Sequence, residues 1–231
     1  MLCQATWSIA VTPSDPSGAI DPTPTIGMVG LIQDVEHRVG SYFDAPRDEV
    51  FILGQTSGIL GGSMYWTEVC DFLGGDPPAV DLDAELRLQR FLVDAAERRL
   101  LRSAHDCSEG GLAIALAEAV IGGPYVPGSL GASLDLSGYA PDVPLDGLFF
   151  GEDGARAVVS CPPAAARALN RLADEHEVPI FRAGLVESAG TLELQVGPQL
   201  FSWSTEALRR IYYDAIPRRM QHPEVDRTAG E

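Results

Sequence analysis

The residues best suited to chemistry lie in the polar segment Ser103–Leu112, SAHDCSEGGL, which runs directly into an apolar stretch. Gly110 and Gly111 would stand at the start of a helix, where backbone N–H groups are open and the helix dipole favours an anion. Ser108 can add a hydroxyl donor, and Asp106 can partner a metal ion or a ligand hydroxyl. The pattern therefore predicts a site for a phosphate or a metal-bound phosphate. One alternative is open on spacing alone: Asp106 or Ser108 only caps the helix, and His105 forms a hydrogen bond inside the turn.

A second candidate lies in the segment Phe149–Arg156, FFGEDGAR. Its Asp-Gly pair predicts a tight hairpin turn between strands at 147–150 and 155–161. Glu152 and Arg156 would flank this turn. A buried ion pair, a ligand contact and an ordinary solvated turn are all open for them, and the solvated turn is the simplest.

The remaining motifs give no catalytic or metal-binding residue. The loop Gly54–Ser63 has four glycines but matches neither a Walker A sequence nor a G-x-G-x-x-G fingerprint, so a plain turn is favoured over a phosphate site. His37, His176 and His222 have no partners at metal-ligand spacing. Neither H-E-x-x-H nor G-x-S-x-G occurs, which excludes those two hydrolase motifs.

Composition limits the class of partner. The 231 residues are 45% hydrophobic, as expected for a globular chain. With 33 acidic and 16 basic residues the formal charge is -17, which argues against nucleic acid or an anionic membrane as partner. Lysine is absent, which excludes a P-loop lysine or a Schiff-base lysine.

Cysteine usage and the chain start predict a cytoplasmic protein. Cys3, Cys70, Cys107 and Cys161 form no C-x-x-C pair, so buried free thiols are favoured over a zinc site or a disulfide framework. No apolar run is long enough for a membrane span, and Met1–Ala10 lacks the pattern of a signal peptide.

Hydrophobic periodicity and turn residues predict the elements that must position these residues. Their order indicates an α+β fold with a mixed, partly antiparallel sheet and helices packed on one side. Strands are predicted at Ile26–Val35, Asp48–Leu53, Ala132–Leu136, Ile180–Val186 and Thr191–Val196, the last two pairing with each other, and helices at Leu86–Leu100, Leu112–Ile121, Pro162–His176 and Thr205–Tyr213, followed by an irregular tail.

Several segments, in order between about residue 18 and residue 215, resemble the C-terminal part of the phosphoribosylformylglycinamidine synthase family (synthetase subunit). This family is part of the aminoimidazole ribonucleotide synthetase-like superfamily. The segments are Pro22–Asp34 (PTPTIGMVGLIQD), Leu60–Ser63 with Tyr65, Ser103–Glu118 (SAHDCSEGGLAIALAE), Phe150–Glu152 with Arg156, and Ala183–Val186.

The resemblance implies a function in de novo purine biosynthesis. The whole enzyme would convert formylglycinamide ribonucleotide, ATP and glutamine-derived ammonia to the amidine through an iminophosphate, with Mg²⁺ offsetting charge on the phosphates. A glutaminase subunit and a small bridging subunit would supply the ammonia. The residues that the resemblance implies for substrate binding are Ser8, Asp106, Ser108, Gly110, Gly111, Glu152 and Arg156.

The resemblance also implies a domain division. Residues 1–45 are interpreted as a truncated remnant of the preceding ATP-binding domain with its hinge strand, residues 46–215 as the synthetase-like C-terminal domain, and residues 216–231 as a tail. Where the family has a run like GNVSLYNE, this chain has ATWSIAVT at Ala5–Thr12, and only Ser8 aligns. The catalytic ATP-binding half is missing, so we expect no ligase activity and assign no bound cofactor to this chain alone.

Three origins remain open: a natural fragment, the product of a shifted reading frame, or a degenerate relative. The alternative function is a non-catalytic relative that binds a phosphorylated metabolite or scaffolds a complex. A sister enzyme, such as a selenophosphate synthetase or a thiamine-monophosphate kinase, is the weakest alternative because of the Pro-Thr-Pro segment and the Ser-Ala-His-Asp loop.

Overall fold

The computed structural model describes residues 27, 29–32, 34–123 and 130–221. The chain divides into two units, Met1–Arg38 and Val39–Glu231. In the first unit, Val35–His37 forms a 3-10 helix, and Asp34 caps it by accepting the Glu36 N–H at 2.9 Å. Residues 29–32 and 34 lie in no strand, so the strand predicted at Ile26–Val35 is wrong there. The side chains of Val29, Leu31 and Ile32 are exposed, whereas burial of an apolar face is what stabilises a strand.

The described part of the second unit contains one mixed seven-stranded sheet, in the spatial order β2-β4-β1-β5-β3-β6-β7. Neighbouring strands are antiparallel except for the parallel pair β3–β6. The predicted α+β class with a mixed sheet is therefore confirmed. The strands are β1 (Glu49–Leu53), β2 (Ser103–Asp106), β3 (Gly131–Asp135), β4 (Ala157–Cys161), β5 (Ile180–Glu187), β6 (Thr191–Val196) and β7 (Gln199–Ser204).

The helices cover both faces of this sheet, not the single face that was predicted. Phe51 and Leu53 of β1 pack in one apolar cluster with α1 and α4, whereas Val50 and Ile52 pack in another with α2 and α3. A strand that is apolar at consecutive positions needs cover on both faces. The helices are α1 (Leu82–Glu97), α2 (Gly111–Ile121), α3 (Leu145–Phe150), α4 (Ala166–Glu175) and α5 (Thr205–Gln221), with a π-helical turn at Tyr65–Val69.

Strands β5 and β6 do not pair with each other, contrary to prediction. Strand β3 lies between them, with Ala132 opposite Val186 of β5 on one side and Leu192 of β6 on the other. Strand β7, which was not predicted, pairs with β6. Alternation identifies a strand but not its neighbour, and the short connection between β5 and β6 suggested a hairpin that β3 displaces.

The helix predictions agree with the structure in part. Helix α1 begins at Leu82, four residues before the predicted start at Leu86, because Asp81 caps it. The Asp81 Oδ1 accepts the N–H groups of Asp83 at 3.0 Å and Ala84 at 2.9 Å. Helix α2 begins at Gly111, one residue before the predicted start, and it is largely buried because it is apolar on most of its surface. Helix α5 continues past Pro217 to Gln221, into residues that were expected to be irregular. Among the described residues, no helix is both long enough and apolar enough to cross a membrane.

Candidate functional site

Strand β2 places Asp106 and Ser108 at the surface. The predicted polar loop begins as this strand, which pairs with β4 and is anchored by a 2.7 Å hydrogen bond between the buried hydroxyls of Ser103 and Ser160. The Asp106 side chain, at the strand end, is 77% exposed, and its Oδ2 accepts the Ser108 hydroxyl. These two polar groups can therefore reach a ligand in solution.

The start of α2 is satisfied by a carboxylate from another loop. Gly110 stands at the N-cap with a φ of +77°, and neither Asp106 nor Ser108 caps the helix. Instead Glu152 Oε1 accepts the Gly110 N–H at 2.8 Å and the Met64 N–H at 2.9 Å. The alternative that Asp106 or Ser108 caps the helix is therefore wrong, because the anionic group at this helix start is the Glu152 carboxylate.

Gly111 is required by close packing. Its φ is +66°, which disfavours any residue with a Cβ. A Cβ there would also lie 2.6 Å from the carbonyl oxygen of Gly151 and 2.9 Å from that of Phe149. Gly111 is buried, so its missing side chain makes room for the end of α3.

Arg156 is a buried structural support and does not flank a solvated turn. It is 3% exposed, its Nε donates to the Asp153 carbonyl at 3.2 Å, and its Nη2 donates to the Gly151 carbonyl. Its buried Nη1 has no hydrogen-bond partner among the described residues. Nearby, burial raises the pKa of Tyr139 to about 12, so its hydroxyl stays protonated and donates to the Gly54 carbonyl at 3.2 Å.

The predicted hairpin around this segment is wrong because α3 replaces its first strand. Leu145, Leu148 and Phe149 have the i, i+3, i+4 spacing of a helix face, and the last two are buried. The Asp-Gly pair that suggested a hairpin instead forms an irregular loop, 151–156, between α3 and β4.

Asp153 is a site residue that the sequence did not single out. Its Oδ2 accepts the Thr56 hydroxyl at 2.7 Å, and its Oδ1 accepts the Ser57 N–H at 3.1 Å and the Ser57 hydroxyl. Burial alone would raise the pKa of Asp153, but the hydrogen bonds from Ser57 and Thr56 and the charge of Arg156 outweigh it and lower the pKa. No sequence signal links positions 97 residues apart, although the Thr-Ser pair in a glycine-rich loop marks where donors are available.

The lowered pKa of Asp153 predicts a pH-dependent contribution to stability. A carboxyl group with a depressed folded-state pKa stabilises the fold above its unfolded pKa, and this contribution is lost as pH falls through the folded value. Asp153→Asn should therefore lower the free energy of unfolding by about 1–3 kcal/mol at pH 7, and the gap to wild type should narrow below about pH 4. Urea unfolding at pH 7 and pH 3 measures this gap. The exposed Asp142→Asn is the matched control, and a gap for Asp153→Asn that is independent of pH would contradict the expectation.

Two of the described cysteines have the predicted buried thiols. Burial raises the pKa of Cys107 to about 11 and that of Cys161 to about 12, so both stay neutral at physiological pH. Cys70 is a free thiol but is exposed, contrary to expectation.

A cavity of about 610 Å³ lies beside α1 and the loop 151–156. Four of the predicted substrate-binding residues, Asp106, Ser108, Glu152 and Arg156, contribute to its wall, whereas Gly110 and Gly111 do not. Ser8 lies outside the described residues. The fold thus brings together predicted residues from two loops that are over 40 positions apart in the sequence, since Gly110 and Glu152 are 42 apart.

The described side chains of this site form no cluster of metal ligands. In the part of the chain that the structure describes, no group of three or more His, Cys, Asp or Glu residues could hold a metal ion. We therefore derive no step through a metal ion from these residues.

A comparison with known protein families finds a match within the domain described above. Residues 46–197 match the family described as AIR synthase related protein, C-terminal domain. The chain belongs to this family. The AIR synthase related domain thus contains β1 to β6 together with the Glu152 and Arg156 loop.

Individual relatives support the resemblance to the synthase. The chain is 43% identical over 203 residues to phosphoribosylformylglycinamidine synthase subunit PurL of Thermobifida fusca, covering 87% of this chain and 25% of that protein. It is 38% identical over 208 residues to the PurL subunit of Parasynechococcus marenigrum, covering 87% of this chain and 26% of that protein. The chain therefore spans about a quarter of the length of these curated relatives.

Solved structures confirm the fold. A structure of Thermotoga maritima PurL complexed with FGAR has a TM-score of 0.64 and 22% identity, covering 75% of this chain and 29% of that one. A structure of T. maritima PurL complexed with ATP has a TM-score of 0.58 and 22% identity, covering 74% and 27%. At this identity the likeness supports the fold alone.

Proposed function

We propose that this chain is the C-terminal domain of a phosphoribosylformylglycinamidine synthase. The observation that carries the proposal is the 43% identity to a PurL subunit over 87% of this chain. The whole enzyme would convert formylglycinamide ribonucleotide, ATP and glutamine-derived ammonia to formylglycinamidine ribonucleotide in purine biosynthesis. ATP and Mg²⁺ would act in the whole enzyme, which would be cytoplasmic and work with a glutaminase subunit and a small bridging subunit.

Within this proposal, Asp106 and Ser108 face the phosphorylated ribonucleotide. Their exposed side chains at the wall of the 610 Å³ cavity support this assignment. The loop 106–110 is held in place by Gly110, Gly111 and Arg156, which do not contact the ligand. The Gly110 N–H already has a partner, and the other two residues are buried. The predicted substrate-binding set is therefore divided into residues that contact the ligand and residues that hold the loop.

The chain alone is proposed to be inactive. It spans about a quarter of the length of its relatives, and its described residues offer no cluster of metal ligands. A domain that spans about a quarter of the relatives' length would supply only part of the groups that stabilise the charge developing during phosphoryl transfer.

A chimera tests both parts of the proposal. Residues 46–221 of this chain would replace the matching segment of T. fusca PurL, and amidine formation from formylglycinamide ribonucleotide, ATP and ammonia would be measured. We expect turnover within about tenfold of the parent enzyme, a loss of about 1.4 kcal/mol, and none from this chain alone. Turnover by the isolated chain would overturn its proposed inactivity. A folded chimera without turnover would instead favour the second candidate, a non-catalytic metabolite-binding or scaffolding relative, which the exposed Asp106 and Ser108 side chains also allow.

A further inference from the structure

One oxygen of Glu152 joins three segments that are distant in the sequence. Glu152 Oε1 accepts the N–H of Gly110, at the start of α2, and the N–H of Met64, at the start of the π-helical turn Tyr65–Val69. The carboxylate therefore lies at two helix starts at once, where backbone donors lack intrahelical partners. Negative charge is favoured at the start of α2 by the dipole of that helix.

The backbone on either side of Glu152 is held without the help of its side chain. Arg156 donates to the carbonyl groups of Gly151 and Asp153, the two neighbours of Glu152. The Asp153 carboxylate is in turn held by Thr56 and Ser57. The Glu152 carboxylate is thus preorganised, which is typical of a group whose position matters to a functional site.

The segment on the Met64 side is also well defined. Tyr65 stacks on Phe150 with ring centroids 4.7 Å apart and an interplanar angle of 6°. The Ser63 hydroxyl donates to the Leu60 carbonyl at 2.6 Å just before the turn. π-Helical turns are rare and occur frequently at functional sites. The hydrogen bond from Met64 to Glu152 fixes the start of such a turn, which distinguishes it from an ordinary hydrogen bond at the surface.

On the Gly110 side the chain leads directly to the groups that face the ligand in the proposed function. The Gly111 N–H donates to the Ser108 carbonyl at 3.0 Å, and the Ser108 hydroxyl donates to Asp106. A shift of the first turn of α2 would therefore move Ser108 and Asp106 with it.

We propose that Glu152 is a positioning residue that couples the π-helical turn to the loop 106–110, so that neither can move without the other. The functional part of this inference rests on the proposed function. Glu152 acts through Asp106 and Ser108, and the proposal assigns it no contact with the substrate. Losing its charge should therefore loosen both helix starts together and weaken ligand binding more than the chemical step.

Amide hydrogen exchange of the purified chain tests the coupling. In Glu152→Ala the amides of Met64 and Gly110 should exchange about tenfold or more faster than in wild type, because both lose a hydrogen bond to a charged acceptor. Glu152→Gln should give a smaller increase at both, since its amide oxygen still accepts but is uncharged. Glu109→Gln removes an exposed carboxylate from the same loop and should leave both rates unchanged. The buried Val50 amide reports any global loss of stability.

Acceleration at only one of the two amides, or an increase no larger than that at Val50, would overturn the coupling. The functional part is tested by placing Glu152→Gln in the PurL chimera. We expect the KM for formylglycinamide ribonucleotide to rise about tenfold while kcat stays within about threefold, and a fall in kcat alone would contradict the positioning role. If the unmodified chimera has no turnover, the proposed function fails, whereas the exchange rates still decide the coupling.

Discussion

Gly111→Ala is expected to lower the free energy of unfolding by about 3 kcal/mol. Two penalties add at this position. The φ of +66° costs a residue with a Cβ about 1–2 kcal/mol. The new methyl group would also lie 2.6 Å from the Gly151 carbonyl oxygen and 2.9 Å from that of Phe149, and backbone atoms cannot move aside as a flexible side chain can. Overpacking of this kind costs about 1–3 kcal/mol.

Gly197→Ala is the matched control for this prediction. Gly197 has a similar φ of +54°, but a Cβ there would meet nothing within 4 Å. Gly197→Ala should therefore lower the free energy of unfolding only by the conformational penalty, about 1–2 kcal/mol. Urea unfolding of the three proteins measures the difference, which isolates the packing of α2 against α3. Equal losses in the two variants would contradict the close-packing explanation for Gly111.

This packing shows what the glycine pattern could predict and what it could not. Gly110 and Gly111 correctly marked a helix start where a Cβ is not tolerated. A glycine pattern shows that space is needed and does not show what fills it. At Gly110 the anion is the chain's own Glu152, and at Gly111 the space is filled by backbone. The phosphate interpretation of these glycines stays a prediction.

The parts of the fold that the sequence predicted are those with local causes. Strand β1 is a short apolar run, α1 begins at a capping aspartate, and α2 is apolar nearly all round. Each of these signals lies within the element that it predicts.

The parts that could not be predicted depend on distant partners. Insertion of β3 between β5 and β6 joins residues more than 50 positions apart, such as Ala132 and Val186. The Asp153 contacts with Thr56 and Ser57 have the same character. The Asp-Gly pair at Asp153 was misleading because a turn motif specifies a bend but does not specify the elements that flank it. The preceding segment forms the helix α3 because Leu148 and Phe149 pack in the core.

Arg156→Met is the second change with a large expected effect, about 3 kcal/mol lower stability. Methionine fills similar volume but cannot donate to the carbonyl groups of Gly151 and Asp153, and it removes the cation near the Asp153 carboxylate. Each stranded buried acceptor costs about 1–3 kcal/mol. The loss is reduced because the unpartnered Nη1 of Arg156 also disappears.

Arg182→Met is the matched control for Arg156→Met. The Arg182 side chain is 55% exposed and pairs with Glu49, so its removal should cost less than about 1 kcal/mol. Thermal unfolding should separate the variants by at least about 4 °C, given the size of the folded unit. Similar Tm values for the two variants would show that burial of Arg156 adds nothing.

The same comparison decides how an effect of Arg156 on activity should be interpreted. A substrate-binding arginine, as the sequence predicted, would lower ligand affinity at every temperature at which the protein is folded. A buried support for the loop 151–156 would lower activity mainly through the folded fraction, because its donors point to backbone carbonyls. Assaying the PurL chimera with Arg156→Met at low temperature, where most of it is folded, therefore separates the two roles. Near-normal KM there favours the support, whereas a KM that stays high would return Arg156 to the residues that contact the ribonucleotide.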